Sequence, residues 1–200
     1  LMDLQLFYRD EPLGDAWRKD FASCPKVAIA CGDITDATCD AIVSPANSFG
    51  FMDGGLDHAI SERFGWDLQE AVQQEIRRLP ERELLVGMAL VVPTGDDRIR
   101  WLIAAPTMRV PMSFNIASSV NAYLAMKAVL VAANRTPAIK SIAIPGLCTG
   151  VGRMPAYVAS NQMYVAYDEV ALGNHPTFLD FGEAQKHQAD LNPNGMIWDY

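Results

Sequence analysis

Residues 41–60 constrain this chain more than any other stretch. They open with an apolar run, Ala41-Ile42-Val43, turn at Pro45, and cross a polar loop carrying Asn47, Gly50, Gly54 and Gly55. A helical pattern then begins at Leu56 and Asp57. Strand, glycine loop and helix in that order let bare backbone N–H groups approach an anion, because glycine has no Cβ to hold a ligand away. An ordinary strand-to-helix connection has the same outline. The polar content of this one, with Asn47, Asp53 and Asp57, sets it apart.

The rest of the chain repeats the alternation. Residues 4–8 read as an edge strand, 12–21 as a short helix with Trp17 and Phe21 on one face, and 26–31 as a second apolar run. Residues 56–79 are helical in pattern, broken near Gly65, with acids early and arginines late in the second part, as the helix dipole prefers. Residues 87–92 and 101–105 suggest a hairpin about the Gly95 turn. The spacing predicts a long helix over 115–133, a buried strand over 141–145, a second glycine loop over 146–155 and a helix over 156–172. The run 139–144 is apolar enough to be covered on both faces. The expected fold is therefore an α/β three-layer α/β/α sandwich with a mixed, mainly parallel sheet, whose central strands are 27–30, 41–43 and 142–144. The expected organisation is one domain over 1–200, with a core at about 26–172. Residues 173–200 read as an irregular tail with one short helix near 183–189.

Ligands of such sheets bind beyond the carboxyl ends of the strands, so the polar clusters at Gly32-Asp33, Asn47 to Asp57 and Gly146 to Gly152 should share a rim. A net charge of −8 argues against a nucleic-acid partner. Four cysteines without a C-x-x-C pair argue against zinc and for a reduced, cytoplasmic setting. No apolar run approaches the roughly 20 residues of a membrane span, and nothing in the chain asks for a cofactor.

Gly146-Leu147-Cys148-Thr149-Gly150 also matches G-x-C-x-G, a nucleophile elbow with cysteine in the serine slot. That gives a second class of function, an acyl hydrolase with Cys148 as nucleophile and His175 or His187 as base. Gly150, Gly152 and Pro155 delay the helix that an elbow needs at once, so a phosphate cradle ending at a Pro-initiated helix fits better. His58 beside Asp57 points about 100° away from it and reads as a surface residue.

Four motifs together resemble a known family: Gly32-Asp33-Ile34-Thr35, then Asp40 to Asn47, then Gly54-Gly55-Leu56-Asp57, then Thr149-Gly150 with Pro155. In order and context they are similar to those of macrodomains, which bind ADP-ribose and in some members hydrolyse ADP-ribosyl bonds. The resemblance implies ADP-ribose or an ADP-ribosylated group as ligand. Asp33 resembles the acid that reads adenine, with Ile34 beside it, although an Asp there also suits a turn cap. Asn47 resembles the residue that addresses the distal ribose, although Asn is equally a turn former. Gly54, Gly55 and Leu56 would carry the first glycine loop's contacts, and Cys148, Thr149, Gly150, Val151 and Gly152 those of the second. Arg153 would pair with the pyrophosphate.

Asp57 resembles the family's catalytic Asp, and with Asn47 forms the implied catalytic pair, kept ionised by the helix start. A first-turn Asp is also what any helix start prefers. The resemblance implies either hydrolysis of an ADP-ribosyl or O-acetyl-ADP-ribose bond or a non-catalytic ADP-ribose reader. Gly152 stands where many members carry an aromatic ring over the distal ribose, leaving Phe49 and Phe51 as the rings that could replace it.

Overall fold

The computed structural model describes residues 2–112 and 116–193. Six strands form one sheet: β1 (Asp3–Tyr8), β2 (Val27–Cys31), β3 (Ala41–Ser44), β4 (Leu90–Pro93), β5 (Trp101–Ala104) and β6 (Ser141–Pro145). Their order is β2-β1-β6-β3-β5-β4. Every pairing is parallel except β4 with β5, the hairpin at one edge. Six α-helices accompany the sheet among the described residues: α1 (Glu11–Asp20), α2 (Gly55–Phe64), α3 (Asp67–Arg78), α4 (Asn121–Asn134), α5 (Ala156–Val170) and α6 (Phe181–Leu191).

Alternation along each inner strand explains the layers, since successive side chains of a strand point to opposite faces. Ala41 and Val43 of β3 pack into the core beneath α1, α4 and α5, while Ile42 packs into the core beneath α2 and α3. Ile142 and Ile144 of β6 go one way and Ala143 the other. Both faces are covered, as the apolar runs predict, and the fold is the three-layer α/β/α sandwich with a mixed, mostly parallel sheet.

Two strands exchange the places expected of them. β1, read as an edge, lies inside the sheet between β2 and β6, and β2, read as central, is the edge. The physical reason lies in the side chains. β1 sends Leu4, Leu6 and Tyr8 into one core and rests Phe7 against the other. β2 rests only Val27 and Ile29 against a core, and its Ala28 and Cys31 are exposed. The core therefore begins near residue 3, not 26. α4 begins at Asn121, six residues after the expected start, and Asn115 itself lies outside the described residues. The tail is more ordered than its composition suggests: α6 packs on α5 and buries Leu191. Residues 194–200 of that tail lie outside the described part.

Candidate functional site

The carboxyl ends of the parallel strands open onto a cavity of about 800 Å³. Gly32 after β2, Pro45 after β3 and Gly146 after β6 all line it, as does Arg9 after β1. Of the residues singled out by sequence, Ile34, Asn47, Gly54, Gly55, Leu56, Asp57, Cys148, Thr149, Gly150, Val151 and Gly152 line it together. Asp33 and Arg153 are not among its lining residues.

Asp33 acts as the cap of a short 3-10 turn (Ile34–Asp36). Its Oδ1 accepts from the Thr35 N–H at 2.9 Å and from Thr35 Oγ1 at 2.7 Å, and its Oδ2 takes Arg9 at 2.7 Å. The Thr35 hydroxyl and amide, with Arg9 near, hold the carboxyl below the usual range. Arg153 is exposed, with a φ of 54°, at the end of the second loop.

Asn47 spends its side chain on its own loop. Nδ2 donates to the Phe51 carbonyl at 2.8 Å, while Oδ1 accepts from the N–H groups of Phe49 at 3.1 Å and Phe51 at 3.3 Å. This is the turn-forming use of Asn, and it fixes Phe51, a residue 54% exposed, at the cavity wall. Phe49 is turned elsewhere, its ring stacked under Arg109 at 4.9 Å.

The two glycine loops supply unpaired donors. Gly54 caps α2 without a side-chain hydrogen bond, so the N–H groups of Gly55, Leu56 and Asp57 have no intrahelical acceptor. In the second loop Cys148 and Gly150 use their carbonyls to accept from Met154 and Arg153. The N–H groups of Thr149, Gly150, Val151 and Gly152 donate to no acceptor among the described residues. Four successive free donors make a nest suited to an anion. Gly152 is required there, because a Cβ would come within 2.7 Å of the Cys148 carbonyl and 2.8 Å of Ile116.

Asp57 sits at the inner wall, 8% exposed, and accepts from Ser44 Oγ at 2.5 Å. Burial pushes its carboxyl up to about 6, and the Ser44 hydrogen bond offsets only part of that. The expectation of a strongly ionised, dipole-stabilised acid is thus corrected: desolvation outweighs the helix start. Burial likewise pushes the Cys148 thiol up to about 12, so it is not a thiolate near neutral pH. No histidine lines the cavity among the described residues. His175 and His187 belong to a separate groove of about 400 Å³ beside α4 and α6. The cysteine-hydrolase reading fails on both counts, although Cys148 does show the positive φ, 66°, of an elbow. His58 is a surface residue on α2, 3.9 Å from Glu62.

The β1–α1 turn contributes residues that the motif reading overlooked: Phe7, Tyr8, Arg9, Asp10 and Leu13. The available signal was β1 itself, since an inner parallel strand delivers its carboxyl end to the same rim. Arg9 is the single Lys, Arg or His on the described lining, against Asp10, Asp53 and Asp57. Among the described residues no group of three side chains could hold a metal ion, and no helix is long and apolar enough to cross a membrane.

A family model described as Macro domain matches residues 43–163. A macro domain-containing protein of Listeria monocytogenes is 31% identical over 137 residues, covering 68% of this chain and 74% of its own length. Among solved structures, a variant of the Oceanobacillus iheyensis macrodomain with ADPR is similar at a TM-score of 0.57 and 25% identity, covering 68% of this chain and 72% of that one. The macrodomain of Mycobacterium tuberculosis DarG is similar in fold at a TM-score of 0.59 and 22% identity, covering 70% of this chain and 88% of that one.

Proposed function

Since this chain belongs to the macro domain family, we propose that it binds ADP-ribose in the cavity at the carboxyl ends of its strands. One observation carries this reading: the free N–H groups of Thr149 to Gly152 and of the α2 start line the same space, with almost no cationic side chain to do their work. Such a site suits a pyrophosphate held by backbone dipoles. The Gly32 and Ile34 side of the cavity then takes the adenine end, and the Asn47–Asp57 side takes the distal ribose. Calorimetric titration of the full chain with ADP-ribose tests the assignment. Saturable one-to-one binding is expected, and heats no larger than dilution at millimolar ligand would overturn it.

The chemistry we infer is hydrolysis of an ADP-ribosyl or O-acetyl-ADP-ribose bond with Asp57 as base. A carboxylate titrating at about 6 is roughly nine-tenths ionised at pH 7 and still basic enough to take a proton from water. For an ADP-ribosylated acceptor, the water oxygen bonds to the anomeric carbon as the bond to the acceptor breaks. Asp57 receives the water proton and the acceptor leaves with the electron pair. For the O-acetyl ester the same activated water attacks the acyl carbon instead.

Release of ADP-ribose from mono-ADP-ribosylated protein and from O-acetyl-ADP-ribose is the measurement. Asp57→Ala should lower turnover by about 10²–10⁴-fold with ADP-ribose affinity changed less than about tenfold. Native turnover should rise as pH passes about 6. Equal turnover in both proteins removes Asp57 from the mechanism. Binding without turnover by the native chain leaves a non-catalytic reader of ADP-ribosylated partners, which the engagement of the Asn47 side chain with its own loop favours as a second reading.

A further inference from the structure

The C-terminal helix reaches the second glycine loop through a chain of hydrogen bonds. Leu191, its last residue, and Asn192 just beyond are both buried. Asn192 Nδ2 donates to the carbonyls of Ala117 at 2.7 Å and Ser119 at 2.8 Å. Gln162 of α5 braces the same point, with Nε2 donating to Ser119 O at 2.9 Å and Leu191 O at 3.3 Å while its Oε1 accepts from the Tyr123 N–H. Ser119 N–H in turn donates to Ile116 O at 2.9 Å. Ile116 N–H then donates to the carbonyl of Gly152 at 3.0 Å, and the Ile116 side chain lies where a Cβ on Gly152 would have to go.

Gly152 is the last residue of the nest of free N–H groups. Its carbonyl is held by Ile116, and Ile116 belongs to the short segment that Asn192 and Gln162 clamp. α6 is itself tied down through the buried Glu169 of α5, whose Oε1 pairs with His187 at 3.0 Å and whose Oε2 accepts from Lys127 at 2.7 Å. A nest binds an anion well only when its donors are fixed beforehand, because fixing them on binding costs conformational entropy.

We propose that Asn192 is a positioning residue for the phosphate end of the cavity, acting through residues 116–119 on the Thr149–Gly152 donors. The proposal rests on the ADP-ribose reading for its ligand. It separates two parts of that ligand: the nest depends on Asn192, and the adenine end beside Gly32 and Ile34 does not.

The test uses the full chain, Asn192→Ala, and a control, Asn161→Ala, which removes a different bond to α6, that from Asn161 Nδ2 to Asp190 O. Affinities for ADP-ribose and for adenosine are measured by competition, and amide hydrogen exchange is followed in the unliganded protein. Asn192→Ala should weaken ADP-ribose about tenfold, leave adenosine within about twofold, and speed exchange at the Ile116 amide. Asn161→Ala should leave the ratio of the two affinities unchanged. Equal weakening of both ligands, or no weakening of either, overturns the proposal, since general destabilisation does not discriminate between them. If the native chain binds no ADP-ribose, the functional reading falls first. Unchanged exchange at Ile116 in Asn192→Ala then overturns the link from α6 to the loop as well, and faster exchange sustains it.

Discussion

At Asp57 two influences of opposite sign meet. Its place in the first turn of α2 favours the charged form, and its burial opposes it. Burial wins, and the consequence is a pH-dependent stability of definite sign. The folded protein holds this proton up to about pH 6, whereas an unfolded chain gives it up near pH 4. Between those values the native state binds more protons, so Asp57's contribution falls as pH rises and is lost above about 6. The difference of about two pKa units corresponds to about 3 kcal/mol. Asp57→Asn keeps an oxygen for Ser44 and carries no charge. In urea denaturation it should therefore be more stable than the native chain at pH 8, by up to about 3 kcal/mol, and indistinguishable near pH 4. A constant difference across that range would show that the carboxyl is not buried as described. Asn47 and Asp33 teach a related lesson. Their types and positions are legible in the sequence, but Asn47 turns to the backbone of Phe49 and Phe51 in its own loop, and Asp33 divides its oxygens between Thr35 beside it and Arg9 after β1. Residue type shows what a side chain can bond, and packing decides what it does bond.

Elements were more legible than their neighbours. Strand and helix positions followed from apolar periodicity, and the two glycine loops came out on one rim because each follows a parallel strand. Which strand sits at the edge is a matter of pairing across distant sequence, and no local pattern fixes it. β1 displaced β2 from the interior because it buries bulk on both faces. The union of α4, α5 and α6 was equally hidden, since its centre is a single glutamate. Glu169 is 1% exposed and accepts from Tyr123 OH at 2.9 Å, Lys127 and His187. Burial alone would raise its carboxyl, but the hydrogen bonds from Lys127 and Tyr123 outweigh it and hold the group below the usual range. Its contribution is therefore present above the unfolded pKa, about 4.3, and fades as pH falls through the lower folded value. Glu169→Ala leaves the half-buried Lys127 without its counter-charge and the Tyr123 hydroxyl without its acceptor, and should cost about 1–3 kcal/mol in urea denaturation at pH 7. A loss below about 1 kcal/mol would mean that solvent replaces the carboxylate.

Seen whole, the molecule is an acidic body with net charge −8 around a cavity proposed to take ADP-ribose. Three carboxylates line that cavity against one guanidinium, and Arg9 already shares its charge with Asp33. On the proposed reading the affinity is set at short range by oriented N–H dipoles, which salt hardly screens. The approach of the ligand is another matter, because a diffusing dianion feels the field of the whole surface before it feels any donor. At low ionic strength that field is repulsive, and at about 0.1 M salt it decays within about 10 Å. The association rate of ADP-ribose in stopped-flow mixing should accordingly rise as salt is added, while the dissociation rate stays nearly constant. A basic nucleotide-binding surface would do the opposite. On that reading entry is gated by the ionic composition of the surroundings, and the protein would capture its ligand faster in a salty medium than in a dilute one.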